Sequence, residues 1–225
     1  MCLIITKSLN HPLDENLLFN IIESAKDYNP DGIGYMCKRN KGEKIFINKK
    51  IGKNSIEETI KELKDLKIEE GDELAVHLRY GTSGKADLSN VHPFIVDTKT
   101  TEILRTSGET FNPCIMHNGV FNQFTVYNSI FSDTYYFATM FLSKYDMLYE
   151  PEKIKFLRDN LFTNKLAVMY PQKEKEMILI GTFLYEGPSL RVSNSMYKIE
   201  EKNRETMVPC HNKTFYDNKE NVLLC

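Results

Sequence analysis

The chain has 225 residues, of which 41% are hydrophobic and 27% are charged, so it can build a sizeable packed core. Its formal net charge of −2 gives no electrostatic reason to expect binding to nucleic acid or to an anionic membrane surface. No apolar run approaches the roughly 20 residues of a membrane span, and polar residues soon interrupt the apolar N-terminal run. We therefore expect neither a membrane partner nor a secretory signal.

The cysteine pattern favours a cytoplasmic protein. The five cysteines are widely spaced and form no Cys-x-x-Cys pair, so the sequence predicts neither a disulfide framework nor a zinc site. A reducing compartment fits this usage best. No repeat, low-complexity tract or linker divides the chain, so we expect one domain over residues 1–200 and a C-terminal extension of unknown role over residues 201–225.

The first third of the chain alternates strand-like and helix-like segments. A short apolar strand is predicted over residues 2–6, and apolar residues at helical spacing predict an amphipathic helix over residues 13–27. Two strand-like runs, residues 33–38 and 44–48, are separated by turn residues, which predicts a hairpin.

A second helix and a two-faced strand are predicted next. Ser55 and Glu58 match the capping-box pattern at the start of this helix. A strand is then predicted over residues 74–80. Its period of two puts His77 and Arg79 on one face and apolar residues on the other.

The second half of the chain is rich in short predicted strands. These cover residues 94–97, 102–105, 114–117, 165–170, 177–181 and 189–193. Helices are predicted to begin at Ser132 and at Pro151. Clustered strands with helices between them indicate an α+β layered fold rather than a doubly wound parallel sheet.

Cys2 is the first candidate for chemistry, because it opens the first predicted strand. Removal of Met1 would leave one residue with a thiol nucleophile and a free α-amino group, whose pKa of roughly 7.7–8.0 suits a base. A strand within a packed sheet would hold this residue rigidly. Taken alone, the pattern favours an incidental cysteine beside the start codon.

Three later segments carry further candidates, each with a common structural explanation. Arg79 at a strand end offers a planar fork to a carboxylate, but an isolated arginine of this kind is usually solvated. Asn118 and Gly119 offer a side-chain amide and a backbone N–H to a developing oxyanion, although Asn-Gly is most often a plain turn. Asp133 could bind a substrate ammonium group, although Ser-Asp is also a standard helix N-cap.

The segments together are more specific than any one of them. In chain order they are Met-Cys, Asp-Gly-Ile-Gly at 31–34, His-x-Arg-Tyr-x-Thr-x-Gly at 77–84, His-Pro-Phe at 92–94, His-Asn-Gly at 117–119 and Ser-Asp-Thr at 132–134. This order resembles the class II glutamine amidotransferases, which belong to the N-terminal nucleophile hydrolases. The resemblance covers roughly residues 2–195. Gly81 stands where many members have alanine, and Ser83 stands where several have histidine.

The resemblance implies a four-layer α-β-β-α sandwich of two antiparallel sheets. It implies that Cys2, freed by removal of Met1, is the nucleophile and that its α-amino group acts as the general base through water. Asn118 and Gly119 correspond to the oxyanion hole. The residues implied for binding glutamine are Arg79, Thr82 and Asp133. The first two would bind the α-carboxylate and the third the α-amino group.

On this basis we expect hydrolysis of glutamine through a γ-glutamyl thioester, giving glutamate and ammonia without a metal or an organic cofactor. The residues after about 195 are too few for a synthase domain of typically 50–200 residues, so a separate synthase or ligase subunit would receive the ammonia. Two alternatives stay open. One is an amidohydrolase of the same superfamily acting on another γ-glutamyl or amide substrate, and the other is a catalytically silent binding module.

Overall fold

The structure, a computed structural model, describes residues 1–40, 42–81 and 84–198. The strands are β1 (Leu3–Lys7), β2 (Ile33–Lys38), β3 (Ile45–Lys50), β4 (Glu73–Leu78), β5 (Phe94–Ile95), β6 (Ser107–Thr110), β7 (Cys114–Asn118), β8 (Lys165–Met169), β9 (Ile178–Ile180), β10 (Leu184–Glu186) and β11 (Leu190–Val192). The α-helices are α1 (Glu15–Ala25), α2 (Ser55–Leu66), α3 (Thr100–Ile103), α4 (Asp133–Tyr136) and α5 (Pro151–Asn160). A π-helix, Phe137–Ser143, continues α4.

The strands form two antiparallel sheets. The larger sheet has the order β10-β11-β1-β4-β2-β3-β6, and the smaller has the order β5-β7-β8-β9. Every strand pair within them is antiparallel. The described chain thus combines helices with antiparallel sheets, as an α+β fold does.

Three apolar clusters pack against the sheets. The first joins α1 and α2 to one face of the larger sheet and contains Leu3, Ile5 and Ile22. The second lies between the two sheets and contains Ile4 and Met116. The third joins the other face of the smaller sheet to the π-helix and α5. Because alternate strand residues point to opposite faces, β1 is buried on both of its sides.

The face of the larger sheet that meets the smaller sheet becomes polar toward one end. On β4, Ala75 belongs to the cluster between the sheets, and the same alternation puts His77 and then Arg79 on this face. His77 pairs with Gly34 on β2. A Cβ atom at Gly34 would lie 2.0 Å from the His92 carbonyl oxygen, so only glycine permits this close approach. The polar face predicted for this strand therefore meets the second sheet rather than solvent.

Two predictions of local structure are wrong. Ser55 does not cap α2, because it lies within the helix and the N-cap residue is Asn54, which makes no side-chain capping bond. Glu58 instead pairs with Lys50 at 3.1 Å. Residues 102–105 are not a strand, because α3 occupies the first half of this segment and the next strand, β6, begins later.

Some predicted features lie outside the described residues. These are Thr82, the extension over 201–225, and Cys210 and Cys225 within that extension. The cysteines that the structure does describe are free thiols. Across the described residues, no helix combines the length and the apolar character that crossing a membrane requires.

Candidate active site

Cys2 lies directly before β1, an interior strand flanked by β11 and β4. Its Sγ atom is 3.4 Å from the Tyr80 nitrogen and 3.4 Å from the Tyr80 carbonyl oxygen, just beyond β4. The amide of Asn29 donates to the Met1 carbonyl at 2.8 Å, and the amide of Asn194 donates to the Cys2 carbonyl at 2.8 Å. The backbone is therefore held on both sides of the thiol.

Burial raises the pKa of the Cys2 thiol above its usual value. The hydrogen bond from the Tyr80 backbone and the α-ammonium group of Met1 lower that pKa in part. The charge of Arg79 also lowers it, whereas the charge of Asp133 raises it. At neutral pH the thiol is therefore mostly protonated, and it needs a base to act as a nucleophile.

Asn118 is the last residue of β7, an interior strand of the smaller sheet. Its Nδ2 atom donates to Ser193 Oγ at 2.8 Å, and the same hydroxyl oxygen accepts from the Ile4 backbone N–H at 2.9 Å. Ser193 thus connects the two sheets at this end. Because a carboxamide carries two hydrogens, Asn118 can donate a second bond to another acceptor.

A neutral His117 supports the Asn118-Gly119 turn from behind. Burial lowers the pKa of His117. Its Nε2 atom is 2.8 Å from Asn164 Oδ1, which can only accept, so Nε2 carries the proton and Nδ1 accepts from the Thr134 hydroxyl at 2.8 Å. Gly119 has φ of 145°, and a Cβ atom there would lie 2.1 Å from Asn164 Oδ1. This turn therefore requires glycine.

Arg79 follows β4 and is only 3% exposed, so the explanation as a solvated surface arginine is wrong. Its backbone N–H donates to the Gly32 carbonyl at 2.8 Å, and the Gly81 N–H donates to Asp31 Oδ2 at 2.7 Å. The Asp31-Gly32 turn thus fixes the segment around Arg79. A Cβ atom at Gly81 would lie 2.7 Å from Arg79 Nη1, so glycine leaves room for the guanidinium group.

Asp133 begins α4 but does not cap it. Ser132 is the N-cap residue, and its hydroxyl accepts from the Tyr135 N–H at 3.4 Å. Asp133 is 5% exposed. Its carboxylate accepts from the Phe121 N–H at 2.6 Å and from the Thr134 N–H at 2.9 Å. The N-cap explanation is therefore wrong for Asp133, and the carboxylate is a buried charge beside the turn.

One cavity of about 650 Å³ brings part of the predicted set together. Cys2, Asn118 and Gly119 line it, whereas Arg79 and Asp133 do not. The charges of both residues nevertheless act on the pKa of the Cys2 thiol, Arg79 lowering it and Asp133 raising it. Within the described residues, no group of His, Cys, Asp and Glu side chains could hold a metal ion.

Several residues at this site were not predicted from the sequence. Lys165 and Thr163 line the cavity, and Lys165 pairs with Asn118 across β7 and β8. Asn164 and Ser193 support the Asn118-Gly119 turn through the bonds described above. No motif marks these residues. Their place at the site follows from the pairing of β11 with β1 and of β8 with β7. A single sequence does not show which distant strands pair.

Comparison with known proteins does not assign this site. No protein-family model matches the chain, and a search of curated proteins finds no match to it. Its function is therefore inferred from its residues and their geometry.

Proposed function

We propose that the chain is a class II glutamine amidotransferase domain of the N-terminal nucleophile hydrolase superfamily, which hydrolyses the side-chain amide of glutamine. The observation that carries this proposal is the single cavity shared by Cys2, Asn118 and Gly119. A nucleophile with two oxyanion donors beside it is what amide hydrolysis through a thioester requires.

The order of the apolar clusters supports the corresponding fold. Helices, larger sheet, smaller sheet and helices follow one another across the three clusters, which is the order of a four-layer α-β-β-α sandwich. Strand alternation from Ile4 to Cys2, and from Met116 to Asn118, directs both site residues toward the space between the sheets. Each sheet then contributes one part of the catalytic machinery.

Removal of Met1 would give Cys2 the base that its thiol needs. While Met1 is present, burial holds the thiol pKa high, and the α-amino group belongs to the wrong residue. A free α-amino group on Cys2, with a pKa of roughly 7.7–8.0, can take the thiol proton through a water molecule. Asn29, which donates to the Met1 carbonyl at 2.8 Å, would then lie beside this amine.

In the reaction, the Cys2 thiolate attacks the amide carbon, and the Asn118 amide and Gly119 N–H stabilise the oxyanion that forms. Collapse of this intermediate breaks the C–N bond, the nitrogen takes a proton, and ammonia leaves. A γ-glutamyl thioester remains on Cys2. Water then attacks the thioester, so that glutamate is released and the thiol is restored. The ammonia passes to solvent or to a separate synthase or ligase subunit.

Glutamine is a zwitterion with a neutral amide at its tip, so its recognition requires one cation and one anion. Arg79 would bind the α-carboxylate with its planar fork, and Asp133 would bind the α-amino group. Both side chains are nearly fully buried, where salt screens charges only weakly. Thr82, which would assist Arg79, lies outside the described residues.

Glutamate release from glutamine, measured together with the intact mass of the protein, tests the proposal. We expect turnover in material that begins at Cys2. The matched control is a chain with one additional, non-removable residue before Cys2, which keeps the thiol but blocks its amine and should be inactive. Full turnover in material that retains Met1 would contradict the amine as base. No glutamate release from protein that begins at Cys2 would refute the activity.

A further inference from the structure

The cavity at Cys2 is far larger than the release of ammonia requires. Its volume is about 650 Å³. A molecule of the size of water occupies roughly 30 Å³, and ammonia is of similar size. Pockets of about 300–1,000 Å³ usually hold whole ligands. A leaving group much larger than ammonia therefore fits.

The glutamyl part of a substrate does not account for this space. In the proposed function Arg79 and Asp133 hold that part, and neither residue lines the cavity. Cys2 and Asn118 do line it, and they act on the scissile amide itself. With the glutamyl part held by Arg79 and Asp133 and the amide carbon at Cys2, the cavity is left for the nitrogen side of the amide.

Lys165 gives the cavity a positive charge. Among the lining residues it alone has a charged side chain, and no carboxylate of the described chain lines the cavity. Strand pairing puts it beside Asn118, and its ammonium group donates to the Ser193 carbonyl oxygen. It forms no ion pair with any described residue. Two of its three donor hydrogens therefore remain for a ligand.

The other walls of the cavity suit a small amino-acid group. Thr163, Thr182 and Asn122 bring neutral hydroxyl and amide groups to it. Val120 and Phe162 bring apolar surface. A cation within mixed polar and apolar walls matches a carboxylate attached to a short carbon skeleton.

We propose that the cavity binds the amine part of an N-substituted γ-glutamyl amide, and that Lys165 binds a carboxylate on that part. The inference rests on the proposed function, because it takes Cys2 as the residue that cleaves the amide. The C–N bond breaks, the nitrogen takes one proton, and an amino acid leaves in place of ammonia. Water then converts the thioester into glutamate and the Cys2 thiol. Glutamine is the unsubstituted γ-glutamyl amide, from which the leaving group is ammonia itself.

Two ligands that differ by one charge test the inference. γ-Glutamylglycine carries a carboxylate at the position in question, and γ-glutamylglycinamide carries a neutral amide of the same size. We expect the full-length Cys2→Ala chain to bind the first about tenfold more tightly in titration calorimetry, the scale of a hydrogen bond to a charged group. The wild-type chain should show the same order in kcat/KM for glutamate release.

Variants of Lys165 test which residue is responsible. Lys165→Gln should remove the preference for the charged ligand, and Lys165→Arg should keep most of it. Lys61→Gln is the matched control, because Lys61 is an exposed lysine of α2 outside the cavity lining. Circular dichroism and thermal melting identify any variant that fails to fold. Equal binding of the two ligands by the Cys2→Ala chain, or a preference that survives in folded Lys165→Gln, would overturn the inference.

The two readouts separate this inference from the proposed function. If wild-type protein releases glutamate from both ligands with equal kcat/KM, the carboxylate subsite is wrong and the amidase activity stands. If the Cys2→Ala chain binds the charged ligand selectively but the wild-type protein releases no glutamate, the subsite stands and the proposed function is wrong.

Discussion

Two clefts of similar volume open at opposite ends of β1. The first, at Cys2, has a volume of about 650 Å³, and the second, lined by residues 6–11 and by parts of β9 and β11, has about 580 Å³. Size therefore does not distinguish the two clefts of this protein. The chemistry of the lining does.

Two charged groups of the second cleft are bonded within the protein itself. Glu73 pairs with Lys38 at 3.3 Å and accepts from the Met177 N–H at 2.8 Å. Lys7 donates to the Asp72 carbonyl at 3.0 Å. The Cys2 cleft instead combines a thiol, an amide with a spare hydrogen and a lysine that has no ion pair in the described chain. No cysteine of the described chain lines the second cleft, so the thiol is what distinguishes the first.

The largest effect is expected from the nucleophile of the first cleft. Cys2→Ala should abolish glutamate release while the fold is retained. Cys2→Ser should keep only a trace of activity, since a hydroxyl ionises far less readily than a thiol. Steady-state assays with glutamine measure both. Substantial turnover by the folded Cys2→Ala protein would show that Cys2 is not the nucleophile.

Chemical labelling sharpens this prediction, because the described cysteines differ in environment. A glutamine-like chloroketone should label Cys2. Burial raises the pKa of Cys37 to about 12 and also raises that of Cys114, so both thiols stay protonated. The same burial keeps the reagent from reaching them. Peptide mapping after labelling checks this. Modification found chiefly on another cysteine would remove Cys2 from the role of nucleophile.

Local sequence patterns predicted the first elements of the chain, including the strand that follows Cys2. Period-two and helical spacing gave strands at 2–6 and 33–38 and a helix over 13–27, each within about two residues of β1, β2 and α1. These signals depend only on neighbours along the chain, which is why one sequence contains them. The expectation that Cys2 and Asn118 share a site came only from the family resemblance, and the structure brings both residues to one cavity.

Contacts between distant strands were not predictable in the same way. Lys165 reaches the cavity only because β8 pairs with β7, and Ser193 reaches Asn118 only because β11 pairs with β1. The alternation of side chains along β4 placed Arg79 on the polar face of the strand. It could not show whether that face meets solvent or a second sheet. The segment 102–105 was predicted as a strand, but the N–H groups of Ile103 and Leu104 donate to the carbonyls of Lys99 and Thr100, as in a helix.

Asn118→Ala should cost roughly 10²–10³ in kcat, because it removes one donor to the oxyanion. It also removes the hydrogen bond to Ser193 that connects the sheets. Ser193→Ala is the matched control, since it deletes the same bond but leaves the amide donor in place, and its loss of kcat should be much smaller. Equal losses in the two variants would make the effect of Asn118 structural rather than catalytic.

Arg79→Lys should raise KM for glutamine roughly tenfold with little change in kcat. Lysine keeps the positive charge but loses the planar fork that binds a carboxylate with two hydrogen bonds. An anchor used equally in ground and transition states changes KM rather than kcat. A fall in kcat without a change in KM would exclude the anchoring role.

Asp133→Asn should raise KM for glutamine several-fold, while an analogue of glutamine that lacks the α-amino group should be affected much less. The comparison matters because the carboxylate also accepts hydrogen bonds from the Phe121 and Thr134 N–H groups. Asparagine offers only one oxygen and would weaken that support. If Asp133 binds only those two backbone groups, the substitution should raise KM equally for glutamine and for the analogue. Equal increases would show that Asp133 does not bind the α-amino group.

The smallest effect is expected in the second cleft. Arg191→Met removes a charge that lines it and that lies over the Tyr185 ring at 4.8 Å. The five residues of β1 separate this cleft from the thiol by roughly 17 Å, beyond the range at which substitutions usually couple. Glutamate release should therefore stay within about twofold of wild type.

The stability of this variant provides an internal check. Arg191 Nε is buried and has no hydrogen-bond partner in the described chain, so its replacement by an apolar side chain should leave the melting temperature unchanged or raise it. A well-folded Arg191→Met protein with kcat reduced as far as in Asn118→Ala would show that the second cleft takes part in the reaction. The proposed difference in role between the two clefts would then be wrong, because a charge at one end of β1 would be controlling chemistry at the other.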